Sequence, residues 1–442
     1  MSQVSVLEQA TIAADQANWS LLLHYLQQLL GKENSSQNEL NKLQDQQHNQ
    51  LLNWAVKILE EGDFQERWEI AKIFPIFETN ALETLIEIIE DEDSDTELRW
   101  FAGRILAEFN CPVVIETLVN LLRTSEDEEL KAMAANALGN MGSPAIEALT
   151  DLLSDEDSRL FAVRALTQIR QPQIIQPLLN IVKDPHPHIR SLAIEALYSF
   201  HDIRCLPALI EALNDTAGIV RKEATIGIGL CADLIPTEES VNLLKNRLWD
   251  FNLDVCREAA AALARVKTPA AAAALFEILK SPSTPEILQI EIVRSLGWMA
   301  TPEAVDYLAE TLALQTQTFL PQATLTKEII AVLGRIQNPN LSQRLAEILS
   351  QTLDSKSALI QNPSIKGTIA LALGQLKNKE TLESIIHLLA DSDETVRLHA
   401  IAALKQIASP STKQNLELLT HKPLNANLHQ GIKLALEKWP VA

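Results

Sequence analysis

One unit of about thirty residues recurs along nearly the whole chain, and this recurrence restricts the fold more than any other feature. Its clearest copy is 184–213, DPHPHIRSLAIEALYSFHDIRCLPALIEAL. It reads as a short turn, a helix over 189–200, a break at 201–204 and a further helix over 206–213. Each helix carries a single apolar stripe and cannot bury it alone, whereas copies stacked side by side make a continuous core. The expected fold is all-α, an α-solenoid of about twelve helix pairs.

The helix at 189–200 is taken as the second of its unit and aligned on one apolar anchor, seven residues after a position that is often basic. The pairs run Arg67/Phe74, Arg99/Leu106, Lys131/Leu138, Arg159/Leu166, Arg190/Leu197 and Arg221/Ile228. They continue as Cys256/Leu263, Gln289/Leu296, Thr326/Leu333, Lys366/Leu373, Arg397/Leu404 and His429/Leu436. Four residues before the anchor stand Ala102, Ala134, Ala162, Ala193, Ala224, Ala259 and Ala400, small enough to let helices approach. One residue after it, Gly139, Gly229, Gly297, Gly334 and Gly374 are expected to relieve crowding near the helix end. Pro144, Pro172, Pro207, Pro269 and Pro302 fall near the start of the following helix, where a missing N–H is harmless.

Six residues before several of the basic positions lies an aspartate: Asp93, Asp184, Asp215 and Asp391, with Asp250 standing likewise before Cys256. An aspartate ahead of a helix accepts its orphan N–H groups. Repeated with Arg99, Arg159, Arg190, Arg221 and Arg397, it suggests a structural ladder between neighbouring turns. The pattern D-x-x-x-x-[VI]-R-x-x-A-x-x-A-L, in DPHPHIRSLAIEAL and DSDETVRLHAIAAL, resembles the short HEAT-like repeat of phycobilisome lyases, within the HEAT-repeat superfamily. The resemblance covers roughly 51–440 and implies a solenoid whose second helices line a concave surface. Members implied by it include bilin lyase subunits, phycobilisome-degradation factors and scaffolds without catalysis.

Residues 1–50 are expected to form an N-terminal helical cap and a polar linker, and 51–442 the repeats. The segments 311–326 and 350–364 read as extra loop material, with Phe319 and Leu320 as candidate partner contacts.

The net charge of −21 disfavours nucleic acid and anionic membrane as partners. No apolar run approaches the roughly 18 to 20 residues of a membrane span, and 1–16 lack a secretory pattern, so a cytoplasmic protein is expected. The acidic runs 90–97, 125–129 and 154–158 lie in turns ahead of second helices, as caps or as a rim that steers a basic partner. Cys111, Cys205, Cys231 and Cys256 have no CxxC spacing and read as reduced thiols. Nine histidines make no HExxH, and no phosphate loop is present, so neither a metal nor a catalytic residue is assigned.

Candidate partner-binding residues are Arg104, Arg164 and Arg294, two before an anchor, and Arg265, Trp298 and Arg335, two after it. Trp68 and Trp100, each following a basic position, extend the set. Arginine and tryptophan are common interface anchors, although packing between repeats is an equal reading of the tryptophans. The leading functional expectation is a non-catalytic scaffold or chaperone-like adaptor, with phycobiliprotein subunits as candidate partners and no cofactor. The alternative that the resemblance implies is a bilin lyase subunit, with arginines holding bilin propionates while a client cysteine attacks. Cys256, at a basic position of the register, is the thiol to test there.

Overall fold

The computed structural model describes residues 3–30, 45–318, 321–355, 357–407, 409–421 and 425–439. The described residues form α-helices joined by turns and short 3-10 segments, with no strand among them. They divide into two compact units, Met1–Phe200 and His201–Ala442. The second helices of the first unit are α1 Phe64–Ala71, α2 Thr96–Leu106, α3 Glu128–Met141, α4 Arg159–Gln168 and α5 Pro187–Ser199. Those of the second unit are α6 Gly218–Leu230, α7 Leu253–Val266, α8 Glu286–Met299, α9 Ala323–Arg335, α10 Pro363–Gln375, α11 Glu394–Gln406 and α12 Ala426–Glu437. The architecture is an α-solenoid.

The anchors explain why these helices form where they do. Phe74, Leu106, Leu138, Leu166, Leu197, Ile228, Leu263, Leu296, Leu333, Leu373 and Leu404 are all 0% exposed. So is every alanine named four residues before an anchor. Full burial of a leucine-sized side chain stabilises by about 1.5–3 kcal/mol, so the anchor series alone outweighs any capping effect. The last copy keeps the register with a less buried anchor. In α12 it is Gly431, Ile432 and Ala435 that are buried, and Leu436 is only half-buried. The helix cap keeps the expected alignment, since Asn425 lies eleven residues before Leu436 as Asp393 does before Leu404 and Asn362 before Leu373.

Within each unit, second helices pack on the second helices of adjacent repeats more extensively than first helices do on theirs. The glycines after the anchors make this possible, and their role differs from the expected helix-end relief. A Cβ built at Gly229 would stand 2.5 Å from Cβ of Ala262 in α7. One at Gly334 would stand 2.6 Å from the Ala372 Cα in α10, and one at Gly374 2.6 Å from the Ala403 Cα in α11. Gly297 faces Val332 of α9 in the same way, and Gly139 faces the Gln168 side chain (2.5 Å) and the Ala165 carbonyl oxygen (3.1 Å) of α4. Each glycine is a notch that receives the residue just before the next anchor. The helix-ending left-handed residue comes later, four after the anchor: Gly142 (φ 73), His201 (φ 51), Lys267 (φ 54), Ala300 (φ 52) and Lys377 (φ 51).

Three expectations about connections are revised. Residues of 311–326 are mostly helix, because Pro302–Gln317 runs to sixteen residues and α9 begins at Ala323. Its Gln- and Leu-rich sequence propagates a helix well, and Phe319 and Leu320 lie outside the described residues. In 350–364 the start belongs to Ser342–Leu353, and Leu359 and Ile360 tuck into the core at 7% and 0% exposure. At the N-terminal side, helix Asp45–Glu61 crosses the expected boundary at residue 50, with Leu51, Ala55 and Ile58 buried. Most of the linker read at 31–50 lies outside the described residues.

If the notch sets the spacing, Gly334→Val lowers stability by about 1–3 kcal/mol, read as a fall in thermal midpoint, because Ala372 presents backbone there. The same substitution at Gly142, where only Gln171 approaches an added Cβ, at 3.9 Å, loses stability through its positive φ without disturbing the packing of the second helices.

Candidate functional site

Two features occupy the second helices: a polar ladder at their starts and an exposed face along their length. In the ladder each guanidinium first satisfies carbonyls of its own turn. Arg190 donates to Asp184 O (2.7 Å) and Pro185 O (3.1 Å), Arg221 to Asp215 O (2.9 Å) and Thr216 O (3.0 Å), and Arg397 to Asp391 O (2.8 Å) and Ser392 O (2.9 Å). It then reaches the aspartate of the next repeat. Arg159 donates to Asp184 (3.0 Å), Arg221 donates twice to Asp250 (2.7 Å each) and Lys366 donates to Asp391 (2.8 Å). Each aspartate also accepts a backbone N–H two residues on, from His186, Ala217, Asn252 and Asp393. Removing one partner of such a bond leaves the other unsatisfied and costs about 1–3 kcal/mol.

The ladder departs from the expected pairs at its first step. Asp93 is exposed, Arg99 donates instead to Ile89 O (3.0 Å), and Arg67 reaches Asp95 (3.2 Å) and Glu97 (2.7 Å). It is interrupted at Gln289 and Thr326, which carry no positive charge and reach backbone carbonyls instead, Thr326 that of Gln322 at 2.8 Å. The Gln289 amide reaches Leu279 O only at 3.5 Å, and a cleft of about 550 Å³ opens beside it.

Burial pushes the Asp250 carboxyl up, but the Arg221 guanidinium and the Asn252 amide outweigh it and hold the group below its ordinary 3.8. The same balance holds Asp391 below that value, with Lys366 and the Asp393 amide as the stabilising partners. Burial likewise drives the Cys205 thiol up to about 11 and raises those of Cys231 and Cys256. Cys256 stays on the ladder by another route, its Sγ donating to Asp250 O at 3.2 Å. A buried thiol with a raised pKa is a poor nucleophile.

The candidate partner-binding residues fall into two groups. In the first unit Trp68, Trp100 and Arg104 meet: the Arg104 guanidinium lies 3.7 Å from the Trp68 ring centre and 5.7 Å from that of Trp100. All three are half-buried, so the cluster joins α1 to α2 as well as facing outward. Arg164 is exposed on α4. In the second unit Arg265, Arg294, Trp298 and Arg335 are all exposed, Trp298 at 58%. Arg294 is not a free charge, since it pairs with Glu291 (3.0 Å) and Glu328 (2.8 Å).

Some residues of this surface escaped the sequence reading. Phe64 is 55% exposed and stacks on Trp68 at 6.1 Å between ring centres. Lys267 holds its ammonium 4.3 Å over the Trp298 ring. Both lie outside the heptad-spaced positions used for alignment, so only helix-end geometry brings them in. Among the described residues no group of three or more His, Cys, Asp or Glu side chains is placed to hold a metal ion, and no helix is long and apolar enough to cross a membrane.

The paired helices, the notched packing and the open face define a helical repeat solenoid. HEAT repeats are matched at 82–161, 146–229, 241–326 and 356–437, most of the sequence, and the chain belongs to the HEAT-repeat family. It is similar to a HEAT repeat-containing taxis protein of Halobacterium salinarum, 27% identical over 169 residues, which are 37% of this chain and 38% of that protein. Among solved structures it is similar to one of Kap95p with RanGDP (13% identity, 94% of this chain and 65% of that chain, TM-score 0.57). It is also similar to importin beta (14% identity, 94% and 68%, TM-score 0.50). The CpcE and CpcF complex of phycocyanin lyase from Nostoc sp. PCC7120 matches with 20% identity over 54% of this chain and 94% of that chain, at a TM-score of 0.31. At these identities the likeness is one of fold alone.

Two outcomes follow from the ladder and the thiols. Because Asp250 and Asp391 sit below their unfolded pKa, their contribution is complete above about pH 4 and is lost as pH falls below it. Asp250→Asn therefore lowers stability by about 1–3 kcal/mol at pH 7 and flattens the acid limb of the melting curve. Ellman's reagent labels half-buried Cys111 first, and Cys205, Cys231 and Cys256 only on unfolding; early labelling of Cys256 would contradict its place in the ladder.

Proposed function

We propose that this chain is a protein-binding scaffold or adaptor with no catalysis of its own, which seats a partner on the exposed face of its second helices. The observation that carries the reading is Trp298. A tryptophan 58% exposed on a packed helix, flanked by Arg265 and Arg335 on adjacent second helices, has the character of an interface anchor. An array with an extended outward face requires no reacting constellation to bind another protein. HEAT-repeat membership supports the same reading.

The client class to test first is phycobiliprotein subunits, since the Asp-Arg repeats in 184–197 and 391–404 resemble those of phycobilisome lyases. A bilin lyase subunit is the second reading on that same resemblance. It assigns the exposed arginines to propionate binding, while the raised thiol of Cys256 argues against a covalent role for that residue.

Purified phycobiliprotein subunits passed over the immobilised chain test both. Binding to the parent chain that falls about tenfold or more in Trp298→Ala and in Arg164→Glu, with helicity unchanged, is the expected result. Undiminished binding in both variants would remove this face from the function. A change in the absorption spectrum of free bilin on mixing with the chain would favour the lyase reading instead.

A further inference from the structure

The second helices α6 to α9 carry a register that core packing leaves unused. Five residues before each anchor stands a glutamate: Glu223, Glu258, Glu291 and Glu328. Two before it stand Ile226, Ala261, Arg294 and Ala331, and two after it Leu230, Arg265, Trp298 and Arg335. Offsets of three and seven residues return to one helix face, so four helices packed side by side turn these positions into stripes.

The two outer stripes differ in how far their charges are satisfied. Three of the four glutamates are engaged: Glu291 pairs with Arg294 (3.0 Å) and Arg257 (3.7 Å), Glu328 with Arg294 (2.8 Å), and Glu223 with Lys222 (3.6 Å). On the opposite stripe Arg265 and Arg335 are exposed and have no ion-pair carboxylate among the described residues. Lys267, two residues after Arg265, lies 4.3 Å over the Trp298 ring and has no ion-pair carboxylate among the described residues. Trp298 and Leu230 add apolar surface, 58% and 45% exposed. Three cations without an ion-pair partner among the described residues, near an exposed indole, run against the −21 charge of the chain.

We propose that this stripe receives an acidic segment of a protein partner. Its carboxylates would meet Arg265, Lys267 and Arg335, and an aromatic or aliphatic side chain would lie on Trp298 and Leu230. The inference rests on the protein-binding reading and adds the partner's chemistry. The stripe sets cations and an exposed indole together on a chain of net charge −21, and the apolar pair sets register along it. The glutamate row on the same face opposes a nucleic-acid backbone, whose phosphates would extend beyond the cationic stripe.

The test is selection of random peptides displayed on phage against the full chain, followed by titration of the recovered peptides. Enrichment of Asp and Glu around an aromatic or Leu is expected. Affinity should fall about tenfold or more in the Arg265→Glu/Arg335→Glu double variant, and with added salt, while the thermal midpoint stays near that of the parent. Recovered peptides that are neutral or basic, or acidic ones that bind the double variant undiminished, would overturn the proposal. Loss in Trp298→Ala with full binding to the double variant would leave this face as a docking surface but refute the acidic partner. Undiminished binding in both would refute the face itself. A single-stranded oligonucleotide that binds the parent more tightly than the peptides and is lost in the double variant would also overturn it.

Discussion

Everything on these second helices depends on how closely they approach one another. At Gly229, Gly334 and Gly374 there is no room for even one carbon between neighbours, and alanines four residues before the anchors are sealed from solvent. Packing at this distance commits one side of each second helix to the layer and the core. The other side has no neighbour within the array. An exposed face is therefore a consequence of the packing, and its composition is free to serve binding.

The ladder is a smaller effect with a different purpose. Ion pairs as sheltered as Arg221–Asp250, with side chains 14% and 5% exposed, carry a desolvation penalty that offsets much of their attraction. Their geometry is nevertheless demanding, because the guanidinium of Arg67, Arg159 or Arg221 satisfies a preceding carbonyl and the next repeat's carboxylate together. We infer that the ladder contributes more to register than to net stability. Its interruption at Gln289 and Thr326 fits this: the anchors Leu296 and Leu333 remain fully buried although the bridge is gone, so the core does not need it.

The repeat, its anchors and the aspartate–arginine spacing were legible in the sequence because each depends on residues at fixed separations along the chain. What was illegible depends on neighbours from other repeats. The glycines could be located but not interpreted, since the residue that fills each notch lies about thirty positions later. The run 311–326 read as a loop because the excess length, not its helical propensity, was the visible signal. At the candidate site the arginines and Trp298 were found from offsets, but Lys267 comes into place only through the left-handed turn that ends α7. The bond from Arg294 to Glu328 was hidden because that glutamate lies on the next second helix.

The most direct measurement is amide hydrogen exchange across the full chain, with and without a bound protein partner. Slowing on binding should concentrate in the second helices, around Trp298 and Arg335 in particular, and leave first helices unchanged. Slowing confined to the first helices, or to the turns that carry the ladder, would contradict the assignment of the second-helix face as the binding surface.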